Sequence, residues 1–206
     1  MTLTGNSSLV DPGFDSPPEN PMLLFQRWLL KADEIEVSEP RGMVLATVDR
    51  KQRPSSRVLL LKDVDEKGVT FSTGEESAKG QDLLQNSWAA GTLWWRETVQ
   101  QINFQGTAKQ LSDKHSDAIF QARPREAQAV AAISQQSSSL KNEAALREQV
   151  RKLIESEERI VRPAKWHAYH LTVEVIEFWH GSKDRFHQRL RYDLRDGVWY
   201  YQRLQP

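Results

Sequence analysis

The sequence contains no cysteine, and its charges cancel, with 28 Lys and Arg against 28 Asp and Glu among 206 residues. Without cysteine the chain has no disulfide, thiolate nucleophile, zinc finger or cysteine-held iron–sulfur cluster. A balanced charge gives no general reason to expect nucleic acid or an anionic membrane surface as a partner. A chain of this length is expected to form one domain, or one domain with modest extensions.

Targeting segments are also missing. Residues 1–20 have no Lys or Arg and no apolar run, so they do not resemble a secretory signal. No stretch approaches the roughly 20 apolar residues that span a bilayer, so we expect a cytoplasmic protein without a membrane partner. The same residues 1–20 are rich in Gly, Ser, Asn and Pro, which predicts a flexible arm before a single domain over 21–206.

Several common catalytic motifs are absent. There is no G-x-G-x-x-G after a strand, no G-x-x-x-x-G-K-[ST] and no G-x-S-x-G. His167 and His170 lie on a predicted strand, where a spacing of three places their rings on opposite faces, so we predict no metal site there. Hydrolases that use an activated Ser, Cys or zinc are therefore poorly supported.

The apolar pattern predicts a mainly β protein with added helices. Helical periodicity starts at Pro21, and residues 112–156 are expected to be mostly helical, with breaks near 123–125 and 135–139. About seven or eight antiparallel strands with helices inserted late indicate a closed barrel with helical additions. The unbroken apolar run of the second strand predicts burial on both of its faces. The predicted strands are 43–48, 57–61, 69–73, 89–96, 100–110, 166–179, 188–192 and 198–204.

Cationic and amide side chains lie beside these strands. Ser77 is a predicted N-cap for a helix that ends near Asn86, and Lys79 with the exposed helix N–H groups would suit a phosphate monoester. Arg185, His187 and Arg189 share one face if their segment is extended. Each residue also has an ordinary explanation, because an Arg at a strand end is most often a surface group. The residues alone suit a flat, anionic ligand and leave its identity open.

Taken together, these segments resemble the FMN-binding half of the pyridoxamine-phosphate oxidases. The resemblance runs in colinear order from about Asn20 to the C-terminus, which makes it more specific than any one motif. The matching segments are 57–62 (RVLLLK), 71–73 (FST), 77–79 (SAK), Gln101, 123–125 (RPR), 136–137 (QS), 176–179 (IEFW), 185–192 (RFHQRLRY) and 203–206 (RLQP).

This resemblance implies an antiparallel split barrel and an obligate homodimer, with two FMN molecules at the interface that are each held by both subunits. Trp179 and Arg189 would reach the cofactor from the partner chain. Ala78 departs from the family, which usually has a second basic residue there, and this predicts weaker FMN retention. The implied cofactor-binding residues are Arg57, Val58, Leu59, Leu60, Lys62, Ser72, Thr73, Ser77, Lys79, Gln101, Gln136, Ser137, Trp179 and Arg189.

The substrate positions depart further from the family. Where the family holds its substrate's phosphate with Lys, Tyr, Arg and Ser, this chain has Lys62, Ile119, Arg123 and Ala127. Two hydroxyl groups have become hydrocarbon, which would cost a phosphate about 1–3 kcal/mol for each hydrogen bond lost. Arg185 and His187, which face the substrate ring in the family and are the implied catalytic residues, are kept.

Residues 93–98, 100–102 and 190–193 resemble a branch of the family, the phenazine-biosynthesis flavin oxidases. This resemblance implies an FMN-dependent oxidase that aromatises reduced phenazine carboxylic acids for antibiotic biosynthesis, with O2 as acceptor and His187 as a candidate proton acceptor. One alternative is a pyridoxine/pyridoxamine 5'-phosphate oxidase. Another is a non-catalytic flavin-binding split-barrel protein, against which the presence of Arg185 and His187 argues.

Overall fold

The computed structural model describes residues 4–206, and its main feature is one antiparallel sheet of nine strands with five α-helices. This confirms the mainly β fold class and all eight predicted strands. The ninth strand, Asp63–Val64, has only two residues, too few to leave a periodic pattern. The strands are β1 Gly42–Val48, β2 Pro54–Leu60, β3 Asp63–Val64, β4 Gly68–Gly74, β5 Trp88–Trp95, β6 Gln100–Gln110, β7 Trp166–His180, β8 Gln188–Arg195 and β9 Val198–Leu204.

The helices include the three predicted between 112 and 156. Asn20 caps the first one, its side chain accepting from the backbone N–H of Met22 at 2.9 Å, and Pro21 occupies the first turn, where its missing N–H costs nothing. No helix in the described part of the chain is long and apolar enough to cross a membrane. The helices are α1 Pro21–Glu34, α2 Ala78–Gln85, α3 Asp113–Gln121, α4 Arg125–Ile133 and α5 Glu143–Glu155, preceded by a 3-10 helix at Ser7–Leu9.

The long strand β7 organises the sheet. One of its edges pairs with β6, while its other edge pairs first with β4 over 166–172 and then with β8 over 175–180. The strand order β2-β1-β5-β6-β7-β4-β3 does not return to its first strand. This confirms the split barrel that the resemblance implies and corrects the closed barrel that the strand pattern alone predicted. A backbone hydrogen bond from Lys62 N to Thr70 O, at 2.8 Å, joins the segment after β2 to β4.

The core lies on the inner face of this sheet. Leu93, Ile102, Phe178 and Leu190 are directly opposite one another on four neighbouring strands, and none of them is exposed. Helix α1 covers this face, with the ring of Trp28 edge-on to Phe178 at 5.2 Å. Because side chains alternate along a strand, the residues between these buried ones point to the outer face.

The prediction that β2 is buried on both faces is wrong. Val58 is 70 % exposed and Leu60 48 % exposed. The physical reason is that β2 pairs only with β1 and forms an edge of the sheet, so one of its faces has nothing packed on it within the described chain. Long apolar edge strands are surfaces on which another chain can pack.

The arm before α1 makes defined contacts with the barrel over its described part. Phe14 is 5 % exposed and stacks on Trp28 with centroids 5.8 Å apart. The Trp28 indole N–H donates to Pro12 O at 3.1 Å, and the Tyr192 hydroxyl donates to Pro18 O at 2.9 Å. The composition did not indicate these contacts. The flexibility of the arm stays a prediction, and residues 1–3 of it lie outside the described residues.

Candidate functional site

A cavity of about 450 Å³ opens where β2, β4, the start of α2 and the end of α4 come together. It brings together side chains that are far apart in sequence, and most of the predicted phosphate contacts are among them. The predicted residues that line it are Arg57, Val58, Leu59, Ser72, Thr73, Ser77, Lys79, Arg123 and Gln136.

The start of α2 forms a dense hydrogen-bond cluster at this cavity. Ser77 is the N-cap, as predicted, and its Oγ accepts from Gly80 N at 3.2 Å. Lys79 Nζ donates to Ser77 Oγ at 3.2 Å and to Gln136 Oε1 at 3.0 Å. Ser137 Oγ accepts from the backbone N–H of Ala78 at 3.2 Å. The loop after α4 therefore closes over the helix N-terminus, where the backbone dipoles favour a negative charge.

Two cations, Lys79 and Arg57, lie close enough at this cluster to repel each other. Lys79 is only 8 % exposed, and burial, with the nearby Arg57 charge, lowers its pKa to about 8. The Arg57 guanidinium donates to Thr47 Oγ1 at 2.8 Å and to Ser55 Oγ at 2.6 Å, and burial lowers its pKa too. Among the described residues, no ion pair includes either side chain. Lys79 is thus a buried cation held by neutral acceptors, and Arg57 is a half-buried cation with Asp82 as a nearby opposite charge. The two cations together suit an anion.

Arg123 adds a third cation to the cavity wall. Its guanidinium lies over the Trp166 ring at 5.2 Å from the centroid, and Nη1 is buried with no hydrogen-bond partner in the described structure. Burial, and then repulsion by Arg123, lowers the pKa of Lys62, so these two predicted substrate contacts are near each other. An unpaired buried donor is costly unless a ligand accepts from it.

Three other predicted substrate contacts lie outside the lining of this cavity. Ile119 and Ala127 do not line the cavity. Ile119 is partly buried on α3 and packs against the small core cluster that contains Phe120 and Trp166. Lys62 and Leu60 also lie outside the cavity lining, at the end of β2.

A second group of predicted residues occupies the outer face of the sheet. Gln101, Trp179 and Arg189 are directly opposite one another on β6, β7 and β8, so their side chains share a face. Arg189 makes two hydrogen bonds to the Glu177 carboxylate, at 2.8 and 3.0 Å. The His187 ring lies against Trp179 with centroids 4.7 Å apart. None of these residues lines the cavity.

The loop around His187 holds one of its two ring nitrogens. His187 Nδ1 accepts a hydrogen bond from the backbone N–H of Ser182 at 3.1 Å. This contact leaves Nε2 as the ring nitrogen available to a ligand. The assignment of His187 as the proton acceptor stays a prediction.

Arg185 has an unusual backbone. Its φ is +70°, in the left-handed region that favours glycine, and the loop is held by hydrogen bonds from Arg185 N to Ser182 O and from His187 N to Arg185 O. A non-glycine residue in this region carries strain that is most often kept at functional sites. The strained loop thus carries both predicted catalytic residues.

Sequence reasoning missed some of the cavity wall. Pro163, Lys165 and Trp166 line it just before and at the start of β7, and Lys165 pairs with Glu76 at 2.5 Å. No local motif marks these residues, because they reach the cavity only through the pairing of β7 with β4.

The cluster at α2 fits a phosphate monoester, and the outer-face group offers aromatic and amide groups for a flat ring. Together the two groups fit FMN.

Comparison with known proteins agrees with this geometry. Residues 31–156 match the family model described as pyridoxamine 5'-phosphate oxidase, and residues 166–206 match that of the pyridoxine 5'-phosphate oxidase C-terminal dimerisation region. The chain is 38% identical to a dihydrophenazinedicarboxylate synthase of Pseudomonas chlororaphis, over 100% of this chain and 92% of the relative. It is 40% identical to a pyridoxine/pyridoxamine 5'-phosphate oxidase of Acaryochloris marina, over 91% and 86% of the two chains.

A solved structure of a relative has the same backbone fold. PhzG from Burkholderia lata, crystallised in complex with tetrahydrophenazine-1-carboxylic acid, superposes with a TM-score of 0.94 at 38% identity, covering 98% of this chain and all of that one. The β7–β9 region that carries Trp179 and Arg189 coincides with the matched dimerisation region. The chain therefore belongs to the pyridoxamine 5'-phosphate oxidase family.

Proposed function

We propose that this chain is an FMN-dependent oxidase that acts as a homodimer and aromatises reduced phenazine carboxylic acids in phenazine biosynthesis, with O2 as the electron acceptor. The observation that carries the proposal is the full-length likeness to proteins of that pathway, in sequence and in backbone. When bound, FMN would supply the two-electron acceptor that O2 regenerates with release of hydrogen peroxide. A cytoplasmic location belongs to the proposal as the expectation from composition.

The cluster at α2 would hold the cofactor's phosphate. Arg57 and Lys79 supply positive charge, and the hydroxyl groups of Thr73, Ser77 and Ser137 supply short-range hydrogen bonds. Gln101 would contact the flavin ring or the ribityl chain, and Trp179 and Arg189 would approach the ring from the partner subunit. Trp179 and Arg189 lie outside the cavity of their own chain and within the region that matches the dimerisation model, which supports this division.

The substrate-facing residues would bind and orient a carboxylate. Arg123 offers a buried Nη1 donor that has no hydrogen-bond partner among residues 4–206, and Lys62 adds a nearby charge. His187 would be the candidate proton acceptor, and Arg185 would add a cation from the same loop. Ile119 and Ala127, where the family has hydroxyl groups, remove donors that a phosphate would need. This set favours a flat carboxylate over a phosphate monoester.

A pyridoxine/pyridoxamine 5'-phosphate oxidase is the second candidate, supported by relatives that are 38% and 40% identical. The two candidates are separated by turnover of the purified, FMN-loaded protein with dihydrophenazine-1-carboxylic acid and with pyridoxine 5'-phosphate. We expect kcat/KM to be at least about tenfold higher for the phenazine acid. Faster turnover of pyridoxine 5'-phosphate would overturn the assignment. If neither compound reduces the bound flavin under anaerobic conditions, the protein is a non-catalytic flavin binder.

A further inference from the structure

Trp94 on β5 lies beside the outer-face group and has been given no role so far. It is directly opposite Gln101, which is directly opposite Trp179, so the three side chains form one row across β5, β6 and β7. The Trp94 and Trp179 rings are 6.0 Å apart, and the Trp179 ring is 4.7 Å from that of His187. Trp94 thus extends the aromatic surface on which His187 rests.

The core does not account for this side chain. The neighbouring Trp95 points inward, is 1 % exposed and donates from its indole N–H to Pro40 O at 3.0 Å. Trp94 alternates to the opposite face and is 45 % exposed, with no hydrogen bond to its indole nitrogen among the described residues. Together with the rings of Trp179 and His187, Trp94 forms a contiguous aromatic patch, and such patches mark surfaces for a ligand or a partner.

The chemistry of the proposed substrate indicates which ligand would cover it. A reduced phenazine has three fused rings, and a pocket that already holds its carboxylated end needs further flat apolar surface for the remaining rings. Aromatic rings in offset or edge contact add affinity beyond the area that they bury. Trp94 is the exposed aromatic side chain next to Gln101 and Trp179, where such a surface is required.

We propose that Trp94 is a specificity-determining residue that contacts the ring system of the tricyclic substrate. This inference rests on the proposed function. It assigns to Trp94 the discrimination between a three-ring acid and a one-ring phosphate, whereas Arg123 and Lys62 distinguish the charged groups. Removing Trp94 should therefore weaken binding of the large ring and leave the cofactor and the dimer intact.

The chain supplies a matched control. Trp88 lies on the same strand and face, is 46 % exposed, and is six residues, about 20 Å, from Trp94. The dissociation constant of phenazine-1-carboxylic acid is measured by calorimetry on FMN-loaded wild type, Trp94→Leu, Trp94→Phe and Trp88→Leu. FMN affinity and sedimentation mass are measured on the same preparations. We expect about tenfold weaker binding for Trp94→Leu, a smaller loss for Trp94→Phe, and less than about twofold for Trp88→Leu.

Three results would overturn the inference. Equal dissociation constants for Trp94→Leu and Trp88→Leu would show that Trp94 does not contact the ligand. Loss of FMN or of the dimer in Trp94→Leu alone would make Trp94 a cofactor or interface residue. A wild type that neither binds phenazine-1-carboxylic acid nor oxidises its dihydro form would reject the proposed function and this inference with it. Wild-type binding without an effect of Trp94→Leu rejects only the inference.

Discussion

At the scale of single residues, the cluster at α2 concentrates positive charge. Lys79 shows this most clearly, because its ammonium group is buried among neutral acceptors and close to Arg57. Such an arrangement destabilises the charged form of the lysine until an anion arrives. A bound phosphate would restore the charge, so cofactor binding and proton uptake are coupled.

This coupling predicts the pH dependence of FMN binding. Because the pKa of Lys79 is lowered to about 8, the side chain is charged below pH 8 and progressively neutral above it. We expect the FMN dissociation constant to rise between pH 8 and 10, by up to about tenfold per pH unit. Fluorescence titrations of the apoprotein measure it. Lys79→Arg, which stays charged, should bind with little pH dependence, and Lys79→Gln should bind weakly throughout. A flat wild-type profile would contradict the prediction.

At the scale of elements, β2 has the most distinctive position. Val58 and Leu60 leave an apolar edge uncovered within one chain, and a partner subunit would cover it. Val58→Asp should raise the dimer dissociation constant by at least about tenfold, because a carboxylate buried without a partner costs several kcal/mol. Val161, which is 75 % exposed outside the sheet, gives the control Val161→Asp. Sedimentation velocity over a dilution series measures both; equal dissociation constants would exclude β2 from the interface.

The elements also show how far sequence reasoning reaches. Alternation over eight strands, and the Ser77 cap with Lys79 behind it, could be predicted because each depends on neighbours along the chain. The exposure of β2 could not, since an apolar run does not reveal whether a strand lies at the edge of its sheet. The contact of Gln136 with Lys79 and the stacking of Arg123 on Trp166 depend on how distant segments pack. The same holds for His187, whose Nδ1 accepts from the Ser182 backbone N–H.

At the scale of the whole molecule, Phe14 is the buried ring that packs the arm before α1 against the barrel. Phe14 stacks on Trp28, and the Arg203 guanidinium lies over the Phe14 ring at 5.0 Å from its centroid. Phe14→Ala should lower the free energy of unfolding by about 3 kcal/mol, the usual cost of emptying a core site of this size. Urea denaturation measures it, with Leu9→Ala as the control, because Leu9 is in the same arm and 49 % exposed. A change below about 0.5 kcal/mol for Phe14→Ala would show that the arm contributes no packing.

The separation of the two residue groups within one chain has a thermodynamic consequence. The phosphate cluster lies at the cavity beside α2, and the aromatic and amide group lies on the outer face of β6 to β8. If each FMN is held by both, flavin occupancy follows mass action for the protein itself as well as for the flavin. Dilution below the subunit dissociation constant would then release FMN from the protein. Added FMN would in turn favour reassociation of the subunits.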